Sequence, residues 1–312
     1  MKPFSVVFPG QGSQAVGMLD ACAEHPAVRQ TLQEASDALH QDMAALMAEG
    51  PAEQLNLTTN TQPVMLTAGI ALWRLWLAEG GAMPQAMAGH SLGEYTALVA
   101  AGSLAFADAL PLVRFRAQAM QEAVPVGSGG MAAVLGLDDA AVREVCCNAT
   151  SQSGEVVEAV NFNAPGQVVI AGTKAAVDLA CSLLKARGAK RALPLAVSAP
   201  FHSTLLKPAA DRLAAYLEQV PVQGPAVPVL HNVDVAHHPE PQAIRQALAA
   251  QASGAVRWVE CVQALALAGC ADIVECGPGK VLAGLTRRID PHLGSHALTD
   301  ASSANSILEA LT

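Results

Sequence analysis

The stretch from residue 86 to residue 101 joins a short apolar strand, a glycine-bounded turn and an apolar helix, and this unit restricts the folds open to the chain. Ala86 to Ala88 reads as a strand, Gly89 to Gly93 as a tight turn, and Glu94 to Ala101 as a helix rich in Ala and Leu. A strand that passes directly into a helix is typical of alternating α/β proteins. We therefore predict an α/β fold.

The segments on both sides of this unit continue the alternation. Phe4 to Phe8 reads as a buried strand, and the loop from Gly10 to Gln14 follows at the C-terminal edge of the sheet, where open α/β sheets bind ligands. Apolar spacing predicts helices at 27–48, 61–78, 106–123, 205–218, 242–252, 258–268 and 281–289, the last of them ending the fold. Further strands are expected at 227–231 and 272–275.

Residues 131–197 have a different order of elements, βαββαβ. The strands are expected at 131–137, 155–161, 167–171 and 190–197, and the helices at 138–148 and 174–187. This is the order of the split βαβ, ferredoxin-like unit, which is small enough to be inserted into a larger domain. We predict a large α/β-hydrolase-like subdomain formed by residues 1–123 and 198–312, and a ferredoxin-like small subdomain at 124–197.

Composition argues against several functional classes. With 52% hydrophobic and 14% charged residues, the 312-residue chain can bury a large core. A net charge of −9 with only 18 basic residues argues against nucleic-acid binding, because contacts to phosphates need clustered Lys and Arg. The seven cysteines lack C-x-x-C spacing, so we expect free thiols and no metal site. We also expect no signal peptide, no membrane span and a cytosolic location.

The turn at residues 89–93 carries the sequence GHSLG, which matches G-x-S-x-G. In this motif the flanking glycines let a serine occupy a strained turn with its hydroxyl exposed, and the following helix N-terminus can stabilise an anion. Ser91 is therefore the candidate nucleophile. A serine needs a base, because its hydroxyl is a weak nucleophile near neutral pH.

Nine histidines compete for the role of base. His202 lies on a loop between a predicted strand and a predicted helix, so its side chain can project from the edge of the sheet. His231 closes a strand and could also lie near the pocket, whereas His90 is adjacent to the serine and points in another direction. The other six are interpreted as solvated or core-edge histidines: His25, His40, His237, His238, His292 and His296.

Five stretches of the chain together resemble one family. They read FPGQGSQ at 8–14, GHSLGEY at 89–95, NFNAPGQ at 161–167, VSAPFHS at 197–203 and ECGPGKVL at 275–282. The chain thus resembles the malonyl-coenzyme A:acyl carrier protein transacylases of bacterial fatty acid synthesis over nearly its whole length. The two-subdomain fold of that family agrees with the division inferred from the order of strands and helices.

The resemblance implies catalytic roles residue by residue. Ser91 is implied as the nucleophile and His202 as its base. An α/β-hydrolase would orient the histidine with an acidic side chain, but this family uses a backbone carbonyl, which corresponds to Gln251 here. The family usually has proline where this chain has Ala255. The oxyanion hole is implied to consist of two backbone N–H groups, those of Gln11 and Leu92.

A malonyl group carries a free carboxylate, so a pocket that selects it needs a fixed cation, and Arg can bind a carboxylate through two hydrogen bonds. The resemblance implies that Arg116, on the predicted helix 106–123, is this cation. Arg114, two residues earlier, must face another side of that helix. Without the resemblance to this family, Arg116 would be interpreted as a solvated residue on the helix surface. Four more residues are implied to bind substrate: Gln62, Met120, Asn161 and Phe201.

These residues predict a two-step acyl transfer, from malonyl-coenzyme A to Ser91 and then to the phosphopantetheine thiol of acyl carrier protein. A thioester is already activated, so we expect no metal or redox cofactor, and we expect a monomer. A malonyl transferase of a polyketide synthase or malonate decarboxylase system would share every motif. A serine esterase or thioesterase would share the G-x-S-x-G turn at residues 89–93, here called the elbow, without needing Arg116. A non-catalytic binding module would be expected to lack Ser91 or His202.

Basic residues in both predicted subdomains offer a docking surface for the carrier protein, which is strongly acidic in this family's pathway. We define the basic patch as Lys190 and Arg191 in the small subdomain with Arg287 and Arg288 in the large one, and Lys185 and Arg187 lie near the first pair in sequence. The alternative is that these are ordinary solvated charges at helix ends.

Overall fold

Two β-sheets organise the chain in the computed structural model, which describes residues 2–197 and 199–312. Ser198, within one of the five stretches, lies outside the described residues. The strands are β1 (Phe4–Phe8), β2 (Ala86–Gly89), β3 (Gly129–Leu135), β4 (Val157–Ala164), β5 (Gln167–Thr173), β6 (Arg191–Pro194), β7 (Val229–Leu230), β8 (Asp272–Cys276) and β9 (Gly294–Leu298). The α/β class predicted from the sequence is confirmed.

Helices cover both sheets. They are α1 (Pro26–Leu39), α2 (Met43–Glu49), α3 (Ala52–Leu55), α4 (Thr58–Ala78), α5 (Gly93–Ala100), α6 (Phe106–Glu122), α7 (Asp139–Ser153), α8 (Lys174–Ala186), α9 (Lys207–Leu217), α10 (Pro241–Ala252), α11 (Trp258–Leu267), α12 (Val281–Ile289) and α13 (Ala301–Leu311).

The larger sheet is parallel, with the strand order β7-β2-β1-β8-β9. All five residues of β1 are buried, as expected for a central strand covered on both faces. Phe8 at the end of β1 is in register with Gly89 at the end of β2. The loops that follow these two strands therefore leave the sheet side by side at its carboxyl edge.

The smaller sheet is antiparallel, with the order β4-β5-β3-β6, and α7 and α8 pack against it around a core of its own. This is the strand order of a ferredoxin-like unit, so that prediction is also confirmed. Backbone hydrogen bonds join β4 of this unit to the segment just before α11, in the part of the chain that packs with the large sheet. Val256 donates to Val160 O (2.8 Å) and accepts from Phe162 N (3.0 Å).

The predicted helix at 27–48 is wrong, because the chain forms two helices there. His40 adopts a left-handed conformation (φ 50°) that ends α1, and Asp42 begins α2 by accepting a hydrogen bond from Ala45 N (2.9 Å). Apolar residues recur at helical spacing on both sides of the break, so periodicity alone does not reveal it.

Two predictions for the C-terminal third are also wrong. The strand expected at 227–231 is reduced to Val229–Leu230, and the helix Val281–Ile289 does not end the fold. β9 and α13 follow it, and a capping box between Asp300 and Ser303 begins α13. β9 is mostly half-buried and lies at the edge of the sheet, which weakens its apolar pattern.

Candidate active site

The turn after β2 places Ser91 in a left-handed conformation, with φ 52°. The flanking glycines are needed for close packing. A Cβ on Gly93 would lie 2.0 Å from Phe8 O, and a Cβ on Gly89 would lie 1.9 Å from the carbonyl carbon of Gly93. Helix α5 begins directly after the turn. The local sequence thus forces the serine onto a sharp bend at the carboxyl edge of the sheet.

Ser91, His202 and Gln251 form a continuous hydrogen-bonded chain. Ser91 Oγ lies 2.7 Å from His202 Nε2, and His202 Nδ1 lies 2.8 Å from the backbone oxygen of Gln251. A carbonyl oxygen only accepts, so Nδ1 carries the proton and Nε2 is left to accept from the serine hydroxyl. This tautomer is the one that a general base needs.

His202 is held in a buried and strained position. It is 5% exposed, and its φ of 66° is unusual for a residue other than glycine. Burial, together with the nearby charge of Arg116, lowers the pKa of His202 to about 3. The imidazole is therefore neutral at physiological pH, the form that can accept a proton from Ser91.

A cavity of about 570 Å³ opens in front of Ser91, between the large sheet's loops and the small sheet. Nine of the residues predicted to bind substrate or catalyse line it: Gln11, Gln62, Ser91, Leu92, Arg116, Met120, Asn161, Phe201 and His202. Gln251 lies behind His202, as its hydrogen bond to Nδ1 requires. Sequence reasoning did not find other lining residues, among them Asn163, Met131, Val169 and the segment 195–197.

The predicted oxyanion donors, Gln11 and Leu92, come from two different loops, one after β1 and one after β2. Among the described residues, no group accepts a hydrogen bond from either backbone N–H. Two such donors at the cavity wall can stabilise negative charge on a substrate carbonyl oxygen without first breaking bonds of their own.

Arg116 brings a buried cation to the same cavity. It is 2% exposed and donates to Gln62 Oε1 (2.8 Å), to Gln251 Oε1 (2.9 Å) and to Ser91 Oγ (3.2 Å). Its guanidinium carbon lies 5.3 Å from the centre of the Tyr95 ring, a cation–π contact. The buried Nε–H has no acceptor of good hydrogen-bond geometry among the described residues, and the Tyr95 hydroxyl is likewise unpartnered. Because Arg116 lines the cavity, its guanidinium can pair with a carboxylate bound there.

Comparison with known proteins agrees with this geometry. The sequence model of the acyl transferase domain family matches residues 5–288. The malonyl CoA-acyl carrier protein transacylase of Salmonella typhimurium is 53% identical over 309 residues, which cover 99% of each chain. The chain belongs to the malonyl CoA-acyl carrier protein transacylase family. The resemblance noted in the sequence and the acyltransferase class are confirmed.

Transacylases of this family extend to more distant bacteria and to solved structures. The Bacillus subtilis enzyme is 43% identical over 312 residues, covering 100% of this chain and 98% of that protein. A crystal structure of the acyl-carrier-protein S-malonyltransferase of Burkholderia pseudomallei is 64% identical and superposes with a TM-score of 0.97, covering 99% and 100% of the two chains. A malonyl-transacylase solved in complex with a type II polyketide synthase acyl-carrier protein is 50% identical, with a TM-score of 0.97 and the same coverage.

A buried polar network beneath the transacylase elbow was missed by sequence reasoning. Glu94 Oε1 accepts from His231 Nδ1 (2.7 Å), and its Oε2 accepts from Asn232 N and from Gln251 Nε2 (both 2.8 Å). Asn232 accepts from Ser91 N (2.7 Å) and donates to Gly89 O (2.7 Å). His231, the alternative base, therefore lies beneath the elbow with a different partner. The sequence did contain one signal of this network: Glu94 is an acidic residue in the first turn of the otherwise apolar helix α5.

The members of the basic patch are all exposed. Arg288 lies on α12, and its guanidinium donates to Pro165 O (3.3 Å) in the turn between β4 and β5 and to Gln167 Oε1 at the start of β5. Arg287 donates to Ser295 O (3.1 Å). Arg288 thus contacts the small sheet, whose strand β6 begins at Arg191, whereas Arg287 contacts β9 of the large sheet.

Among the described residues, no helix combines the length and the apolar character that a membrane span requires.

Proposed function

We propose that this chain transfers a malonyl group from malonyl-coenzyme A to the phosphopantetheine thiol of acyl carrier protein, for fatty acid synthesis, through a malonyl ester of Ser91. One observation supports this most directly: Ser91 Oγ lies 2.7 Å from His202 Nε2 and 3.2 Å from a guanidinium nitrogen of Arg116. A nucleophile, its base and a buried cation thus meet at one hydroxyl. An acyl group that carries a carboxylate makes use of all three.

In the first half-reaction, Ser91 Oγ attacks the thioester carbonyl while its proton moves to His202 Nε2. The N–H groups of Gln11 and Leu92 would stabilise the oxyanion, as their positions at the cavity wall allow. Collapse of the tetrahedral intermediate breaks the carbon–sulfur bond, and His202 returns the proton to the leaving thiolate. The ester bond to Ser91 is then formed.

The second half-reaction runs the same steps in reverse with another thiol. The thiol of the carrier protein gives its proton to His202 Nε2 and attacks the ester carbonyl, and Ser91 leaves as an alkoxide that takes the proton back. No step requires a metal or a redox cofactor. The monomeric state and the cytosolic location stay predictions.

Ser91→Ala tests the covalent step. We expect the intact mass of the wild-type enzyme to increase by one malonyl group after mixing with malonyl-coenzyme A, and we expect no such adduct on the variant. Persistence of the adduct in the variant would place the nucleophile elsewhere. Release of free malonate as fast as transfer to the carrier protein would favour a hydrolase instead.

A polyketide carrier protein is the second candidate acceptor, because a 50% identical relative was solved in complex with one. Transfer rates to purified carrier proteins of both pathways, measured with the same malonyl-enzyme, compare the two directly. A higher kcat/KM for the fatty acid carrier protein supports the first assignment.

A further inference from the structure

A fully buried glutamate lies directly behind the Ser91 turn without lining the substrate cavity. Glu94 is 0% exposed and sits in the first turn of α5. Its two oxygens accept three hydrogen bonds, from His231, Asn232 and Gln251. A buried carboxylate is costly unless it is hydrogen-bonded in this way, so a position that retains one invites a functional explanation.

The bond to Glu94 is one of two that set the direction of the Gln251 side-chain amide. A carboxylate only accepts hydrogen bonds, so Gln251 must turn its NH₂ group toward Glu94 Oε2 (2.8 Å). The same NH₂ group donates to Ser91 O (2.9 Å). The amide oxygen is therefore left on the opposite side, where it accepts from Arg116 (2.9 Å).

The direction of this amide matters for Arg116, because a guanidinium only donates. If the Gln251 amide turned over, its NH₂ group would face the guanidinium, donor against donor. Arg116 would then keep only Gln62 as a side-chain amide acceptor. A buried cation with one anchor fewer is free to leave the orientation that meets a carboxylate in the cavity.

We propose that Glu94 is a positioning residue which, through the side chain of Gln251, holds Arg116 for the carboxylate of the acyl group and so sets the preference for malonyl over acetyl. This role depends on the function proposed above. The base is anchored differently, since His202 Nδ1 bonds the backbone oxygen of Gln251 and not its side chain. Loss of the Glu94 acceptor should therefore affect the two acyl donors unequally.

Two substitutions of Glu94 separate hydrogen bonding from charge. Glu94→Met removes the acceptor at similar length. Glu94→Gln can keep it, because the introduced amide oxygen can accept the bonds from Asn232 and Gln251 that Oε2 accepts now. The introduced NH₂ can donate to His231 Nδ1 if the His231 ring carries its proton on Nε2. His231 Nε2 has no hydrogen-bond partner among the described residues, so no existing bond prevents this tautomer.

The readout is the ratio of kcat/KM for acylation of Ser91 by malonyl-coenzyme A to that by acetyl-coenzyme A. Both donors acylate the same serine, so the ratio does not depend on the fraction of enzyme that is folded. We expect Glu94→Met to lower the ratio about tenfold or more, equivalent to about 1.4 kcal/mol, and Glu94→Gln to stay within about threefold of wild type. If Glu94→Met does not fold, Gln251→Met takes its place, with the same expected loss.

Glu275 provides a matched control, because it is also a fully buried glutamate. It is 0% exposed and accepts from Ala283 N (2.8 Å) at the start of α12. Glu275→Met should lower the free energy of unfolding and leave the ratio unchanged.

The proposal is overturned if the methionine variant at position 94 or 251 keeps the wild-type ratio, or if Glu94→Gln loses as much of it as Glu94→Met. The wild-type enzyme distinguishes this failure from that of the proposed function. If the wild type forms no malonyl-Ser91, the proposed function itself is wrong.

Discussion

Arg116 is a buried cation whose described hydrogen-bond partners include no carboxylate. The free-energy cost of its burial is offset by two amide oxygens, the Ser91 hydroxyl and the Tyr95 ring. A resident Asp or Glu would offset that cost more strongly, but a substrate carboxylate would then have to displace it. Neutral partners hold the guanidinium in place and leave its charge available.

Replacing Arg116 should therefore change the choice of substrate. Removing one partner of a buried, hydrogen-bonded ion pair costs about 2–5 kcal/mol, so Arg116→Ala should lower malonyl transfer roughly thirtyfold or more. Acylation by acetyl-coenzyme A should be retained, because acetyl has no charge to pair. Steady-state rates with both donors measure the difference.

Arg114 serves as the control for this prediction. It lies on the same helix but donates to Leu39 O and to the Gln41 side chain, away from the cavity. Arg114→Ala should leave the ratio of malonyl to acetyl rates unchanged. A proportional loss of both activities in Arg116→Ala would mean that Arg116 supports the fold or the serine loop.

His202 should make stability depend on pH. Burial and the charge of Arg116 lower its folded pKa to about 3, while the unfolded value is about 6.5. Below pH 6.5 the unfolded state binds a proton that the folded state does not, so the contribution of His202 to stability is complete above that pH and is lost as the pH falls toward 3.

Urea unfolding of wild type and His202→Asn at pH 7 and pH 5 tests this expectation. The stability of the wild type relative to the variant should fall by about 2 kcal/mol between the two pH values. The same difference at both pH values would show that the folded enzyme binds a proton at His202 as readily as the unfolded chain.

The candidate site was predicted from sequence where it consists of motif residues on loops at the sheet edge. Ser91, His202, Gln11 and Asn161 belong to contiguous stretches with strong local signals, whereas Arg116 and Gln62 lie on helices and were assigned only through the resemblance. Glu94 and Asn232 were missed because their role depends on contacts between residues 137 or more positions apart. Apolar periodicity carries no information about which buried polar groups will meet.

At the scale of elements, the sharp passage from β2 into α5 is the feature on which the site depends. Gly93→Ala would place a methyl group 2.0 Å from Phe8 O, in the neighbouring strand. The backbone must shift to relieve this overlap, so we expect a loss of about 1–3 kcal/mol or more in the free energy of unfolding, with loss of Ser91 acylation. Urea unfolding and acylation by malonyl-coenzyme A measure both effects.

Gly284 in α12 is the matched control, because a Cβ there would meet no atom within 4 Å. Gly284→Ala should be neutral or stabilise the protein by up to about 1 kcal/mol, since alanine favours helix. Equal effects of the two substitutions would show that close packing at the elbow is not what requires glycine.

The order of elements was predicted more reliably than their limits. The βαββαβ order identified the small unit, because alternating turns and apolar runs mark each short strand. The break between α1 and α2 was not found, because a single left-handed residue, His40, interrupts a pattern that otherwise continues. β9 was not found because an edge strand needs little apolar surface.

At the scale of the whole molecule, the net charge is −9, so a group of exposed basic residues indicates where an acidic partner could bind. An acidic carrier protein is repelled by most of such a surface, so its approach is favoured only where basic residues cluster. The basic patch draws one pair of residues from each predicted subdomain, and Arg288 of the large one donates to Gln167 and Pro165 of the small one. We therefore expect an acidic carrier protein to dock where the two subdomains meet at this patch.

Charge reversal at Lys190 and Arg191 tests this docking surface. Lys190→Glu with Arg191→Glu should raise the KM for acyl carrier protein, because the like charges now repel the acidic partner, and should leave the KM for malonyl-coenzyme A unchanged. The effect should weaken as salt is added, since exposed charges are screened within about 8–10 Å at physiological ionic strength. Arg29→Glu is the control, because Arg29 is an exposed arginine on α1 that neither belongs to the patch nor lines the cavity. If the double variant keeps the wild-type KM for the carrier protein, or if Arg29→Glu raises it equally, the carrier protein docks elsewhere or responds only to net charge.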